Sequence, residues 1–400
     1  MPYYIGDVIK DYKKLVMRTP EEFKKTGVDV KIKTSVEAIN PDQRSVHLSD
    51  GSVLPYDILV MATGADAVRL DIPGADLEGV FVLRDLTQAL RLKSYVIEKS
   101  CRKAVIVGAG YIGLEMCEAF RSLGIETQVL DVLPRPALRW DPEFAKLMVE
   151  ELNRNQVAFL PGTKPLAIEK GKDFALRLIT DKGDLDADLI LMGLGTKRNT
   201  RMAESIGVHM GESGAIQVDF FQRTSREEVY AVGDCCEVFH RVIGKWVYYP
   251  LGDIANKQGR TAGINIGGGA AKFAGIVGAQ SFKLFNLEVA ATGLTEEEAE
   301  KHGFQPVSAI LWGIPVGRPM SRGEKLGLNL VADKPTGRLL GAQAVGEKGA
   351  VSRINSLSIA LWSGLTLEEI GYLDLAYAPT FGGAWDAIHV AAQGLMRKLT

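Results

Sequence analysis

Residues 103–120 read KAVIVGAGYIGLEMCEAF. Lys103-Ala104-Val105-Ile106-Val107 has the unbroken apolar character of a fully buried parallel strand, and Tyr111 to Phe120 reads as a helix. Gly108, Gly110 and Gly113 stand at the turn between them. Each glycine has a physical reason: a tight turn, close backbone approach to a pyrophosphate, and close packing of helix on strand. The N-terminus of such a helix offers phosphate both unpaired N–H groups and the positive end of a dipole. A second strand, Glu126 to Leu130, ends in Asp131. Counting from Gly113, 131 − 113 gives 18 residues, close to the ~20 expected for the acid that meets the ribose hydroxyls of NAD. The stretch predicts a unit that binds NAD.

Its surroundings point to a second nucleotide. Upstream lies a β-rich stretch, DVKIKTSVEAI, SVHLSDGSVLPYD and ILVMATGA, with Asp50-Gly51 marking a hairpin. Downstream, ADLILMGLGTKRNT runs an apolar strand into Gly193 and Gly195, and EEVYAVGDCCEV runs a short strand into Gly233-Asp234. Strands that end in small residues place backbone N–H groups at the carboxyl edge of a sheet, where nucleotides bind.

Composition sets the outer bounds. At 400 residues the chain exceeds one typical core, so two or three domains are expected. Lys plus Arg number 47 against 49 Asp plus Glu, a net charge of −2 with no basic tail. Neither nucleic acid nor a membrane surface is an expected partner. No apolar run approaches the roughly 20 residues of a bilayer span and no signal peptide is seen, so a cytoplasmic location is expected. Four cysteines make no disulfide framework, and the five histidines are scattered, without metal-ligand spacing. No metal site is expected.

ILVMATG, GAGYIGLE, YAVGD and PLGDIANKQGRTAGINI stand in an order and spacing that resemble the FAD-dependent pyridine nucleotide–disulfide oxidoreductases. TGLTEEEAEKHGF, GRLLGAQAVGE and LDLAYAPTFGGAWD are similar to the interface domain of its coenzyme A–disulfide reductase, NADH oxidase and NADH peroxidase branch. The resemblance covers essentially the whole chain. It implies an α/β fold with two three-layer nucleotide-binding domains, for FAD and NAD, and an α+β C-terminal dimerisation domain. The FAD-binding domain is expected at 1–75 and 197–272, the NAD-binding Rossmann-like domain at 76–196, and the dimerisation domain at 276–400. FVLRDLTQA and GTKRNTRMAESIG are read as hinges.

The same resemblance assigns roles. Asp234, beside Gly233, matches the acid that accepts a hydrogen bond from the FAD ribitol, a simple helix N-cap being the lesser alternative. Ala255 and Asn256 match a helix start aimed at the flavin pyrimidine, where N–H donors stabilise negative charge. Thr63-Gly64 would close on the FAD diphosphate. Tyr111 and Glu115, four apart on one helical face, match an aromatic where nicotinamide enters and an acid near its amide; alone they are a packing residue and a solvated one. Tyr377 resembles the tyrosine that reaches the partner's active site across a homodimer interface, and otherwise is a packing aromatic. Gly195 ends the last strand of the NAD unit.

Expected activity is hydride transfer from NADH to FAD and on to a thiol/disulfide, persulfide or oxygen acceptor. The alternative is a flavin-free NAD-binding dimer or a degenerate regulatory relative. NADH is expected over NADPH because Asp131 repels a 2′-phosphate, with Arg135 and Arg139 nearby as groups able to accommodate one.

Family members begin with an FAD-binding βαβ unit, then a redox cysteine followed by glycine, an apolar residue and Pro-Tyr-Tyr-Ile-Gly. Met1 stands in the place of that apolar residue. The expectation is an internal methionine with the unit and the cysteine upstream, a trimmed relative being the alternative. The chain from Met1 is accordingly expected to hold FAD weakly or not at all.

Two departures bear on the acceptor. WGIPVGRPMSRGEK stands where coenzyme A–disulfide and persulfide reductases carry a tyrosine pair, which puts a disulfide substrate in question. Cys235-Cys236 either forms a strained, easily reduced ring or is two small buried residues beside the flavin. Cys101 and Cys117 are expected to be structural.

Overall fold

The run Lys103–Val107 is the central strand of a five-stranded parallel sheet, in the order Val80–Val82, Leu189–Met192, Lys103–Val107, Glu126–Leu130, Val157–Leu160. Alternate side chains leave on opposite faces, so both faces need cover. Ala104 and Ile106 join a core with Leu114, Phe120 and Met148 of two flanking helices, Tyr111–Ser122 and Pro142–Arg154. Val105 and Val107 face Ile168, Leu176 and Leu178 of a three-stranded antiparallel sheet. The layers are helix, parallel sheet and antiparallel sheet.

This computed structural model describes residues 1–399 and divides into two units. The first comprises Met1–Lys10, Ala67–Gly195 and Val277–Thr400, of which Thr400 is outside the described residues. Its C-terminal part is an antiparallel sheet in the order Gln280–Leu284, Leu287–Gly293, Leu339–Gly346, Leu326–Asp333, Pro306–Gly313. Phe282, Leu284, Val289 and Val345 share one core with Trp140 and Phe144 from the parallel-sheet side. Arg139 adds a two-point ion pair to Glu298 and donates to Gly293 O at 2.6 Å. Met1–Lys10 packs in the same unit, where buried Lys93 donates to Ile5 O at 2.6 Å and pairs with Asp7 at 3.0 Å.

The second unit, Asp11–Asp66 and Thr196–Ile276, holds the Val36–Asn40, Ser45–Leu48, Val53–Pro55 sheet. The Asp50-Gly51 turn forms as read, Gly51 taking φ +82°. A two-strand parallel pair, Leu59–Met61 with Val229–Ala231, and the long helix Gly252–Ile266 belong to the same unit.

Two local readings are corrected. DVKIKTS is not strand: Lys33 sits at φ +55°, which breaks an extended run, and regular pairing starts only at Val36. FVLRDLTQA (81–89) is no hinge: Phe81 and Val82 pair in the parallel sheet, and Asp85 caps the helix Leu86–Glu98 by accepting Gln88 N at 2.8 Å. The polar letters that suggested a linker are the cap and first turn of that helix.

Candidate nucleotide and redox site

In the first unit the glycine turn lies at the carboxyl end of the central strand. Gly108 turns with φ +105°, and a Cβ there would meet Gly193 O at 2.6 Å. A Cβ on Gly113 would overlap Gly108 O, so this glycine sets how closely the helix approaches the strand. Gly110 faces open space and caps the helix without a side chain. The amides of Tyr111, Ile112 and Gly113 therefore have no intrahelical acceptor, and the first ladder bond is Leu114 N to Gly110 O at 2.9 Å. A helix start with free amides of this kind is able to cradle a phosphate.

Asp131, half-buried, ends the adjacent strand. Its Oδ2 accepts Ala109 N at 2.8 Å and its Oδ1 accepts Leu133 N at 2.9 Å. Each oxygen keeps a lone pair for a hydroxyl. Of the two arginines named as alternatives, Arg139 is engaged by Glu298 and Gly293 O. Arg135 donates to Leu138 O at 3.2 Å, and its Nε is buried without a partner. Gly195 takes φ +85°, and its carbonyl accepts Val68 N at 3.0 Å.

Glu115 lies one turn along the same helix, half-buried. Burial pushes its carboxyl up to about 7, helped by repulsion from Glu118 and opposed by the Met1 ammonium. Tyr111 is 42% exposed. Its phenol is raised above the ordinary range by desolvation, against the pull of Arg84.

In the second unit Thr63 and Gly64 are fastened to Asn199 rather than left open. Thr63 Oγ1 donates to Asn199 O at 2.6 Å, Asn199 Nδ2 donates to Thr63 O at 3.1 Å, and Asn199 N donates to Gly64 O at 3.0 Å. Asp234 is buried at 9% exposure in the short turn Gly233–Cys235. Gln258, fully buried, accepts Gly233 N at 2.9 Å and donates to Glu237 O at 3.0 Å, locking that turn to the long helix. The helix begins at Gly252, so Ala255 and Asn256 stand a turn inside it. Ala255 N donates to Leu251 O and Asn256 Nδ2 to Gly252 O, leaving Gly252, Asp253 and Ile254 as the amides without intrahelical acceptors. No side chain caps them.

Cys235 and Cys236 are both buried and free. Cys235 Sγ contacts Val232 O at 3.3 Å and Met61 O at 3.5 Å, while Cys236 Sγ contacts Gly233 O at 3.3 Å. Donation from Cys236, with Thr63 and the Gly64 amide, draws the Cys235 thiol down to about 6 and holds Cys236 up. Burial raises Cys101 and Cys117. Among the described residues no cluster of His, Cys, Asp or Glu could hold a metal, and no helix is long and apolar enough to cross a membrane.

Tyr377 is 57% exposed on an irregular segment of the first unit. The residues that sequence reasoning missed are those acting at a distance along the chain. Asn199 meets Thr63 across 136 residues and Arg353 meets Asp386 across 33, with no local pattern announcing either.

Residues 3–259 match the pyridine nucleotide-disulphide oxidoreductase family, and residues 279–388 match its dimerisation domain. The NAD(P)H sulfur oxidoreductase (CoA-dependent) of Pyrococcus furiosus is 36% identical over 396 residues, spanning 98% of this chain and 89% of that one. The NAD-dependent persulfide reductase of A. fulgidus superposes with TM-score 0.95 at 35% identity, covering 99% of this chain and 75% of that chain. An engineered water-forming NADPH oxidase, a five-substitution mutant of the Lactobacillus brevis NADH oxidase bound to NADPH, superposes at 0.94 with 26% identity, covering 100% and 89%. The fold, the glycine cradle and these likenesses agree: the chain belongs to the pyridine nucleotide-disulphide oxidoreductase family.

Proposed function

We propose that this chain takes hydride from NADH to FAD and passes the electron pair to a small acceptor, the disulfide of a thiol/disulfide couple, a persulfide or oxygen. The observation that carries the reading is the cradle at Gly108–Gly113 with Asp131 at its side. The uncapped amides of Tyr111 to Gly113 hold the NADH pyrophosphate, and Asp131 accepts from the adenosine ribose hydroxyls. In the engineered NADPH oxidase a glycine and, eighteen positions later, an aspartate are both replaced by alanine. Gly113 and Asp131 have the same separation, which supports Asp131 as the group that prefers NADH.

The second unit fits a flavin in its donor set: a buried carboxylate at Asp234, small residues at Gly64 and Gly233, and an uncapped helix start at Gly252–Ile254. Asp234 would hold the ribitol, Thr63 and Gly64 would close on the diphosphate, and the helix start would face negative charge at the pyrimidine. Bound FAD supplies the two-electron centre between nicotinamide and acceptor. Tyr111 and Glu115 orient the nicotinamide end, and Tyr377 serves the acceptor side of a partner chain in a homodimer. On this reading the FAD-binding domain is 1–75 and 197–272, the NAD-binding domain 76–196, and the dimerisation domain 276–400.

The test is anaerobic mixing of FAD-loaded protein with NADH while flavin absorption is followed. Bleaching by NADH, then recovery on adding a persulfide or oxygen, is expected. A bound flavin that NADH does not bleach overturns the reading, and a chain that binds NADH but takes up no FAD favours the flavin-free NAD-binding dimer.

A further inference from the structure

We propose that Arg353 is a positioning residue that holds the 373–386 segment, and with it Tyr377, in one conformation; the link to Tyr377's work rests on the function proposed above. This segment has no helix or strand, yet it carries Tyr377, Phe381 and Trp385, which are 57%, 75% and 57% exposed. Among the described residues the Tyr377 hydroxyl has no hydrogen-bond partner, so its place is set by the backbone that bears it. An irregular segment of this length is held only if its ends and middle are fastened, because each ordered residue costs about 1–2 kcal/mol of conformational entropy.

The fastenings converge on Arg353. Arg353 is buried at 5% exposure, and its donors divide among Asp386, Pro315 and Gly349. Nε donates to Asp386 Oδ1 at 3.0 Å and Nη2 to Asp386 Oδ2 at 2.6 Å. Nη2 also donates to Pro315 O at 3.0 Å and Nη1 to Gly349 O at 3.0 Å. Asp386 closes the segment and caps the helix Ala387–Met396, accepting Ile388 N at 3.0 Å. Pro315 opens a second loop, whose Gly317 donates to Pro379 O at 2.7 Å, two residues from Tyr377. The far end of the segment is tied by His389, whose ring bonds Leu373 O at 2.8 Å and Asp386 N at 3.1 Å. Arg353 therefore reaches Tyr377 along two routes, one through Asp386 and one through Pro315, Gly317 and Pro379.

Lysine retains the charge but not the planar fork that serves a carboxylate and two carbonyls together. Arg353→Lys in the full chain is thus a test of geometry, and Asp386→Asn, which keeps a good N-cap, tests the ion pair without removing the cap. Amide hydrogen exchange is expected to rise about tenfold or more across 374–385 in both variants, with the sheet strands unchanged. In the FAD-loaded protein the acceptor KM is expected to rise while the NADH step keeps its rate, and Arg353→Lys is expected to add nothing to Tyr377→Phe. Unchanged exchange across 374–385 overturns the proposal. So do losses from Arg353→Lys and Tyr377→Phe that simply multiply. If exchange rises but Tyr377→Phe is silent, the bracing stands and the role given to Tyr377 falls.

Discussion

Asp131 Oδ2 accepts the amide of Ala109 at 2.8 Å, so the acid that would choose the nucleotide also fixes the turn that would bind it. One side chain joins the ends of two neighbouring parallel strands at their carboxyl edge. Asp131→Ala therefore removes a repulsive charge and loosens the glycine turn together. It is expected to narrow the NADH-over-NADPH ratio of kcat/KM by about tenfold, equivalent to about 1.4 kcal/mol, and to raise KM for both. Steady-state kinetics with each nucleotide checks this. Better kinetics with NADPH in the unaltered protein would remove Asp131 from the role.

Arg139 separates two explanations of the same neighbourhood. It lies eight residues past Asp131, but its guanidinium grips Glu298 in a two-point pair and also holds Gly293 O. The pair is partly exposed, so Arg139→Ala is expected to cost about 1–2 kcal/mol, seen as a lowered Tm. The ratio between the two nucleotides should not move. A changed ratio with an unchanged Tm would return Arg139 to the nucleotide.

The glycine finger was legible because its chemistry is local: an apolar strand, three glycines and an acid fall within 29 residues, counting 103 to 131. The C-terminal region was legible as α+β only through its resemblance, and it carries strands Leu326–Asp333 and Leu339–Gly346 and the helix Ala350–Ser363. What was misread has a physical pattern. FVLRDLTQA looked like a linker because a helix cap and a first turn use the same polar residues as a loop. Ala255 was placed at a helix start that lies at Gly252, since glycine and aspartate there weaken the helical signal. Bonds such as Arg353 to Asp386 depend on tertiary closure, and no spacing encodes them.

Glu115 gives a pH signature. Its ordinary carboxyl titrates near 4.5, and burial raises it to about 7 in the folded chain. Below 4.5 it is protonated whether folded or not and contributes nothing. As pH rises from 4.5 to 7 the unfolded chain releases this proton first, so the group lowers stability across that window, and the loss is complete above about 7. Glu115→Gln is expected to gain stability relative to the parent above pH 7 and to match it near pH 4 in denaturant titrations. If Glu115 lies at the nicotinamide, the rate of flavin reduction should also inflect near pH 7 and lose that inflection in the variant. A parent without any inflection between pH 6 and 8 would place Glu115 outside the reaction.

The last expectation concerns assembly. The C-terminal region exposes a series of large apolar side chains: Ile359 is 68% exposed, Trp362 42%, Tyr372 70%, Phe381 75%, Trp385 57% and Val390 41%. Two of them belong to the helix Ala350–Ser363, Phe381 and Trp385 lie in the segment that Arg353 braces, Tyr372 just precedes it, and Val390 is in the helix Ala387–Met396. Single exposed apolar residues need no explanation, but this many large ones in a region matching a dimerisation domain point to a covered surface. A two-fold contact would bury the patch on both chains at once, and a stable one needs roughly 1,200–2,000 Å² in total. Rigid aromatics on a preformed segment suit such a contact, because little freedom is lost when they are buried. Light scattering at micromolar concentration is expected to give twice the mass of the chain, and Phe381→Glu should shift it toward the monomer by placing an unpaired carboxylate in the contact. If Tyr377 serves the partner's site, the monomeric variant should also lose acceptor turnover while still binding NADH. A parent that is monomeric and keeps full activity as Tyr377→Phe would remove both the interface and the shared site.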